Sequence, residues 1–345
     1  MNNAKNLKIK QIDKKNISFK ELSLIKNIIF WVDIIPGDQT HKNAIFAKPF
    51  NDKNAIPQKL TGDNFYIKSN FHGYGGKSYK CIEVNDQIYL IWVDQLSKAM
   101  WLKIFKVQEK VPKNDNEYLL CDMEPRQLTE SRKTNFDTSF IISKNNLLFG
   151  LCEIKHRDYL FSLNLKKTKQ EIRIIKKFDN FAGNLSSNIS ADLFSWIEWS
   201  AGSMPWERNE LFFAIIDNDG EIQNIKNFSN KFVNEEKNVS FFQPYWISDT
   251  TLVCSEDSTG WWNLLFLDLT DIKNIILKKR IIKPLTEYGS PQWVSGISFF
   301  SGNIKNLFCV AKKDNSWVLE HYQNCECIKE LKLPFCSIGD LDVCD

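Results

Sequence analysis

Histidine is scarce in this chain and charge of one sign is not in excess. There are four histidines in 345 residues, and 45 Lys and Arg stand against 42 Asp and Glu, a formal net charge of +3. So balanced a composition gives no basis for a nucleic-acid partner held by charge. No stretch approaches the roughly 20 uninterrupted apolar residues that span a bilayer. The opening Met1-Asn2-Asn3-Ala4-Lys5-Asn6 also lacks the apolar run of a signal peptide. No membrane partner is therefore expected, and the chain reads as cytoplasmic. The nine cysteines are odd in number and irregularly spaced, which fits a reducing compartment and argues against a disulfide framework. Cys325 and Cys327 are the one close pair, with no second pair or suitably spaced His, so no metal site is expected. Nothing points to a cofactor, and convincing amphipathic helices are missing as well.

What the chain does have is a succession of short apolar segments, about 5 to 9 residues long. They are rich in Phe, Trp, Ile, Val and Leu and bounded by Asn, Asp, Gly, Lys or Pro, which is the pattern of strands. Asn218-Asp219-Gly220, Lys144-Asn145-Asn146 and Lys313-Asp314-Asn315 separate pairs of them as hairpin links do. The strongest cores are Ile29 to Val32, Tyr89 to Val93, Leu147 to Gly150, Leu193 to Ile197, Thr251 to Cys254 and Asn306 to Val310. They recur at roughly 45 to 60 residues, close to the period of radial β repeats. Leu60-Thr61, Leu128-Thr129 and Leu285-Thr286 look like the endings of three such units.

The expected fold is an all-β propeller of four-stranded antiparallel blades, six of them complete, plus the first strand of a seventh. An N-terminal extension over 1–16 precedes a propeller over 17–345. The blades are placed at about 17–61, 77–130, 137–178, 184–229, 238–288 and 291–335, with a seventh opening at 336–345. In blade 1 the strands are expected over Ser18 to Leu24, Asn27 to Ile34, Asn43 to Lys48 and Pro57 to Leu60. Blade 2 carries a polar insertion around Lys113 to Glu117. Each unit is a small sheet with two apolar faces, so most of the 25 Phe and 11 Trp pack between blades. Cys81, Cys152, Cys254 and Cys309 should act there as small hydrophobes. The clusters Lys166-Lys167, Lys176-Lys177 and Lys278-Lys279-Arg280 read as solvated loops.

Three motifs do not follow from blade packing. Phe71-His72-Gly73-Tyr74-Gly75-Gly76 links the first unit to the second, and its glycines imply unusual torsions or close chain approach. Met204-Pro205-Trp206-Glu207 interrupts the fourth unit after Trp196-Ile197-Glu198-Trp199. Ser258-Thr259-Gly260-Trp261-Trp262-Asn263-Leu264 makes a hairpin in the fifth, followed by Tyr288-Gly289-Ser290-Pro291-Gln292-Trp293. At these residues the chain resembles the N-terminal propeller of S9, prolyl oligopeptidase-type serine peptidases, in the dipeptidyl or acyl aminopeptidase branch. That family's linker is similar to His-Glu-Tyr-Gly-Gly-Gly, its fourth blade to Trp-Asp-His-Pro-Asn-Met-Pro-Trp-Asp, its fifth to Thr-Gly-Trp-Trp-Asn-Leu, and its sixth opens with Gly-Pro-Gln-Trp. The resemblance runs from about residue 17 to the end in consistent order. Here Gly73 stands where the family has Glu, Lys77 where it has a third glycine, Ser200-Ala201-Gly202-Ser203 where it has Asp-His-Pro-Asn, and Glu207 where it has the final Asp.

The resemblance implies an α/β-hydrolase partner domain whose nucleophile sits in a Gly-x-Ser-x-Gly elbow, with Asp and His later in the chain. No such pentapeptide occurs here, so no catalytic residue is assigned and the chain alone is not expected to be an enzyme. His41 and His156 read as turn residues and His321 as a strand residue. His72, Tyr74, Trp206, Glu207, Trp261 and Trp262 are the candidates for facing a substrate or ordering the loops. Two readings stand. The chain is the substrate-gating propeller of an S9-type peptidase, truncated before a catalytic fragment that is separately encoded or lost to decay, and short peptides are the ligands of the complete assembly. Alternatively, it is a stand-alone propeller acting as a protein-interaction scaffold.

Overall fold

Short runs of consecutive β-branched, aromatic and other apolar residues recur along the chain, which suits pleated strands packed on both faces. A computed structural model describes residues 20–35, 42–108, 118–121, 123–131, 133–229 and 238–343, and among these there is no α-helix. The extension 1–16, His41 and the insertion Lys113 to Glu117 lie outside the described residues. Blade 1 consists of β1 (Lys20–Ile25), β2 (Ile28–Ile34), β3 (Asn43–Pro49) and β4 (Gln58–Lys59). In blade 2, β5 (Tyr79–Val84), β6 (Gln87–Asp94) and β7 (Ala99–Val107) are followed by an outer strand split into β8 (Leu119–Leu120) and β9 (Arg126–Gln127), both on β7. Blade 3 has β10 (Thr134–Phe136) and β11 (Ile141–Ile142) innermost, then β12 (Leu147–Ile154), β13 (Arg157–Asn164) and β14 (Arg173–Lys177). Blade 4 runs β15 (Phe181–Ser187), β16 (Leu193–Trp199), β17 (Glu210–Ile216), β18 (Ile222–Asn227). Blade 5 runs β19 (Phe241–Trp246), β20 (Thr251–Glu256), β21 (Asn263–Asp268), β22 (Ile276–Arg280). Blade 6 has β23 (Thr286–Glu287) and β24 (Phe300–Gly302) innermost, then β25 (Leu307–Lys313), β26 (Ser316–Gln323) and β27 (Glu326–Leu333).

The result is a six-bladed antiparallel propeller. All six apolar cores picked out in the sequence fall on the second strand of a blade, which neighbouring blades cover on both faces. Clusters of buried apolar side chains join blades 1 to 2, 2 to 3, 3 to 4, 4 to 5 and 5 to 6. Cys81, Cys152, Cys254 and Cys309 are buried in these layers as unpaired thiols. Between blades 6 and 1 lies the segment expected to open a seventh blade. Residues 336–343 pair in no ladder. The Leu341 N–H donates to Ser298 O (3.2 Å) and the Ser298 hydroxyl to Leu341 O (2.7 Å). Asp342 accepts from the Leu24 N–H (2.9 Å) and from the hydroxyls of Ser23 and Ser301 (both 3.3 Å). Backbone and side-chain hydrogen bonds thus tie this segment to blades 6 and 1 in place of a seventh blade's ladder.

The Leu-Thr endings have a shared cause in blades 1 and 2. Leu60 and Leu128 are buried, and the following Thr hydroxyl accepts the N–H of the third strand, Ile45 to Thr61 (3.1 Å) and Met100 to Thr129 (3.0 Å). Ser229 does the same for Leu211 (2.8 Å) in blade 4, where no Leu-Thr pair exists. Leu285-Thr286 is different: Leu285 is exposed, and Thr286 opens β23 of blade 6. The basic clusters also need correction. Lys176-Lys177 and Lys278-Lys279-Arg280 lie on the outer strands β14 and β22, where lysines discourage edge-to-edge pairing with another chain.

Because the strands alternate in direction, first-to-second and third-to-fourth strand turns share one face of the ring. Second-to-third strand turns and the links between blades share the other. Phe71 to Lys77, the interruption at 200–209, the hairpin at 257–262 and the link 288–297 all belong to this second face, hereafter the loop face. A central cavity of about 530 Å³ is lined by the innermost strand of every blade. At its loop-face end the chain leading into blade 6 meets the chains leading into blades 2 and 3. The Lys77 N–H donates to Ser295 O (3.1 Å), the Ser295 N–H to Gly75 O (3.3 Å), and the Ser295 hydroxyl to Asp137 Oδ1 (2.5 Å).

Candidate functional site

The linker between blades 1 and 2 divides at Gly73 into a buried anchor and an exposed tip. His72 adopts φ 51° and stacks on Phe71 with 3.8 Å between ring centroids. It also packs edge-on against Phe181 and Trp199 of blade 4 (5.2 and 5.5 Å). Its Nε2 lies 2.7 Å from Asp158 Oδ2 on β13, and that same oxygen accepts the Ala182 N–H of β15 (2.8 Å). The His72 N–H donates to Glu153 Oε2 (3.2 Å). His72 therefore ties the linker to blades 3 and 4. Tyr74 points the other way, 67% exposed, and meets the edge of Trp293 (6.0 Å).

The loop Met204 to Glu207 is held by a small set of hydrogen bonds. Glu207 Oε2 accepts the Met204 N–H (2.8 Å), closing the turn on itself. Pro205 O accepts from Asn209 Nδ2 (2.7 Å) and from the Ser240 hydroxyl (3.1 Å). Buried Asn209 also exchanges two bonds of 2.8 Å with the Phe241 backbone, pinning the loop to blade 5. The Ser240 N–H in turn donates to Asp257 Oδ1 (2.7 Å). Burial pushes the Asp257 carboxyl up to about 6 against the pull of that N–H, with the neighbouring Glu256 charge adding to the rise. Held in this way, Trp206 lies 4.5 Å from Trp293.

Tyr74, Trp206 and Trp293 thus form one aromatic cluster drawn from three separate connections. Trp293 is 53% exposed, and Val294 beside it and Met204 beside Trp206 in sequence are exposed too. Gln292 secures the link beneath it, with its side-chain oxygen bonded by Asn184 of β15 and its Nε2 donating to Phe241 O (3.2 Å). Trp261 and Trp262 do not join the cluster among the described residues. Trp262 is buried, stacked on Phe242 (5.9 Å) over Gly289, where a Cβ would lie 2.9 Å from its ring. Its backbone N–H donates to Glu287 Oε2 (2.7 Å). Trp261 is half-buried, its carbonyl taking the Thr259 hydroxyl (3.2 Å).

Of the six candidates, then, Tyr74 and Trp206 come together at Trp293, His72 and Glu207 hold hydrogen bonds that fasten the linker and close the turn, Trp262 packs within blade 5 and Trp261 is half-buried beside it. Trp293, Asp158 and Asn209 were not among them. Trp293 was already visible in Gln292-Trp293, a motif read as the opening of a blade. Asp158 and Asn209 carry no local signal, since their roles depend on neighbouring blades.

No family model matches the sequence, and no curated protein matches it either. Solved structures do. A puromycin hydrolase aligns with a TM-score of 0.76 and 14% identity over 96% of this chain and 49% of its own. A puromycin-hydrolysing peptidase of Mycobacterium tuberculosis gives 0.73 and 15% over 93% and 46%. Prolyl oligopeptidase B of Galerina marginata gives 0.55 and 11% over 92% and 44%. At these identities the likeness is one of fold: a six-bladed propeller similar to the propeller portion of S9 prolyl oligopeptidase-type peptidases. The chain spans about half the length of the structures it matches. Among the described residues no helix is long and apolar enough to cross a membrane.

Proposed function

We propose that this chain is the non-catalytic, substrate-gating propeller of an S9-type serine peptidase of the dipeptidyl or acyl aminopeptidase-like kind. Its loop face covers a catalytic α/β-hydrolase domain and limits access to short peptides. One observation carries this reading. Three stretches that resemble family motifs, separated by up to four blades in sequence, converge at Trp293 on a single face. Blade packing does not require that convergence, because Tyr74 and Trp293 remain largely exposed after the ring has formed. Apolar aromatics left exposed together are characteristic of a contact surface. The hydrolytic chemistry belongs to the other domain, since the sequence has no Gly-x-Ser-x-Gly elbow.

Recovering the chain from its native cell at its natural size, with mass-spectrometric mapping of what accompanies it, tests the reading. The expected finding is a hydrolase domain with a serine elbow, continuous with the chain or on a second polypeptide. The assembly should cleave aminoacyl and peptide substrates while the 345-residue chain does not. Hydrolysis by that chain alone, or its recovery with an unrelated protein and no hydrolase, would overturn the proposal and favour the scaffold reading.

A further inference from the structure

We infer that the link Ser290 to Ile297 is a strap that closes the central cavity at the loop face, so that peptides reach that face from the rim of the ring and not along its axis. The inference of closure rests on topology and geometry. Ser295 lies on the chain entering blade 6, and Asp137 on the chain entering blade 3, nearly opposite in the ring. Their side chains nevertheless meet at 2.5 Å. Backbone contacts join the strap to the chain entering blade 2, on the far side of blade 1. Gly76 and Ser295 form a parallel bridge, fixed by Lys77 N–H to Ser295 O (3.1 Å) and Ser295 N–H to Gly75 O (3.3 Å). The Thr138 hydroxyl donates to Lys77 O (2.7 Å), joining the entries of blades 2 and 3 beneath the strap. Gln292 adds blades 4 and 5 through Asn184 and Phe241.

The crossing is close enough to dictate sequence. A Cβ on Gly76, at φ +155°, would stand 2.5 Å from Ser295 O, and one on Gly296, at φ +89°, would stand 2.8 Å from the Lys77 side chain. Ser295, Gly296 and Ile297 face the cavity below, whereas Trp293 presents its ring on the outer side, to Tyr74 and Trp206. One segment thus seals the axis and carries part of the exposed aromatic cluster. A peptide moving along the axis would have to break the bridge, the Ser295–Asp137 bond and the Gln292 contacts together. A peptide arriving from the rim breaks none of them.

Closure itself is tested on the chain alone, and the route on the assembled peptidase, where it rests on the function proposed above. Hydrogen exchange at the Lys77 and Ser295 amides of the chain should be slowed to about the same degree as in the innermost strands, on the order of a thousandfold or more. Exchange near the unprotected rate would refute closure, whatever the chain's function. In the assembly, Asp137→Cys with Ser295→Cys, oxidised by glutathione disulfide, locks the strap. Turnover of short peptides should stay within about twofold of the reduced form. A loss of about tenfold or more, reversed by reductant and not seen in either single variant, would show that peptides pass along the axis. If no assembly hydrolyses peptides, the functional reading fails on its own, and the exchange result still decides whether the strap is closed.

Discussion

The two faces of the ring use the same alternation of strands and put it to different ends. On the turn face, Lys26-Asn27, Asn85-Asp86 and Asn324-Cys325 reverse the chain with both residues at positive φ, as two-residue hairpins require. Lys26 also pairs with Glu83 (3.1 Å) and Asp86 of blade 2, Asn145 Nδ2 donates to Asn218 O (3.0 Å) between blades 3 and 4, and the Ser190 N–H to Asp249 Oδ1 (2.8 Å) between blades 4 and 5; Ile189 and Phe50 are exposed there. On the loop face, connections from blades that are distant in sequence meet one another, and Tyr74, Trp206 and Trp293 remain together at the surface. These turn-face links run between neighbouring blades. The loop face carries hydrogen bonds, close glycine contacts and exposed aromatics beyond what closing each sheet demands.

If that contrast is right, equivalent substitutions should cost more on the loop face. The largest difference is expected between Gly76→Ala and Gly220→Ala. The new Cβ at Gly76 meets the backbone of Ser295 at 2.5 Å, in a region of φ that side chains rarely adopt. Gly220, on the turn face, also has a strained φ (+79°), but there the new Cβ meets only the ends of the Leu147 and Phe149 side chains at 3.0 and 3.1 Å, which can shift. Denaturant titration should show a loss of about 3 kcal/mol for the first and about 1 kcal/mol for the second. Equal losses would remove the case for a tightly built loop face.

Two histidines make a second, smaller comparison. His72 and His321 each stack on a Phe and bond one polar partner. His321 does so in the open, 4.5 Å from Phe308 and 3.0 Å from Asn306 at a turn-face hairpin. His72 is enclosed by Phe181 and Trp199, and its removal strips a partner from the buried Asp158 carboxylate. His72→Ala should cost about 2 kcal/mol and His321→Ala about half a kcal/mol or less, measured in the same titrations.

How much of this was legible in the sequence follows from which interactions are local. The strand cores and their period are properties of single blades, so blade 1 is found within a residue or two of its expected strands. The hydroxyl that ends a fourth strand was legible as Leu-Thr in blades 1 and 2 and hidden as Phe228-Ser229 in blade 4, since only an oxygen in the right place is needed. Leu285-Thr286 has the same letters without that contact. For the site, His72, Tyr74, Trp206 and Glu207 were legible as departures from packing. Their division into anchors and exposed rings was not, because it is set by Asp158, Asn209 and Trp293 arriving from other blades.

A third effect should appear as a dependence on pH. Asp257 supports the Met204 to Glu207 loop through Ser240, and burial raises its carboxyl to about 6 from the usual 3.8. A group whose folded value is raised contributes stability below its unfolded value, and that contribution is lost as pH rises through the folded one. Melting temperature should therefore decline between about pH 4 and pH 6 by an amount that Asp257→Asn abolishes. The partial exposure of the group keeps the effect below that of either substitution pair above. An unchanged pH profile in the variant would mean that Asp257 does not load the loop in this way.

The smallest effect should come from the most conspicuous residue. Tyr74 is two-thirds exposed, and its ring meets Trp293 edge-on at 6.0 Å. Tyr74→Ser should change unfolding free energy by no more than about half a kcal/mol. In a native assembly with a hydrolase domain, the same substitution should weaken association by about tenfold, as removal of a central aromatic does in a protein interface. A residue that matters little for folding and much for association would mark the loop face as built for a partner. If Tyr74→Ser instead destabilised the isolated chain as strongly as His72→Ala, the aromatic cluster would belong to the fold, and the two faces would differ only in how they close the ring.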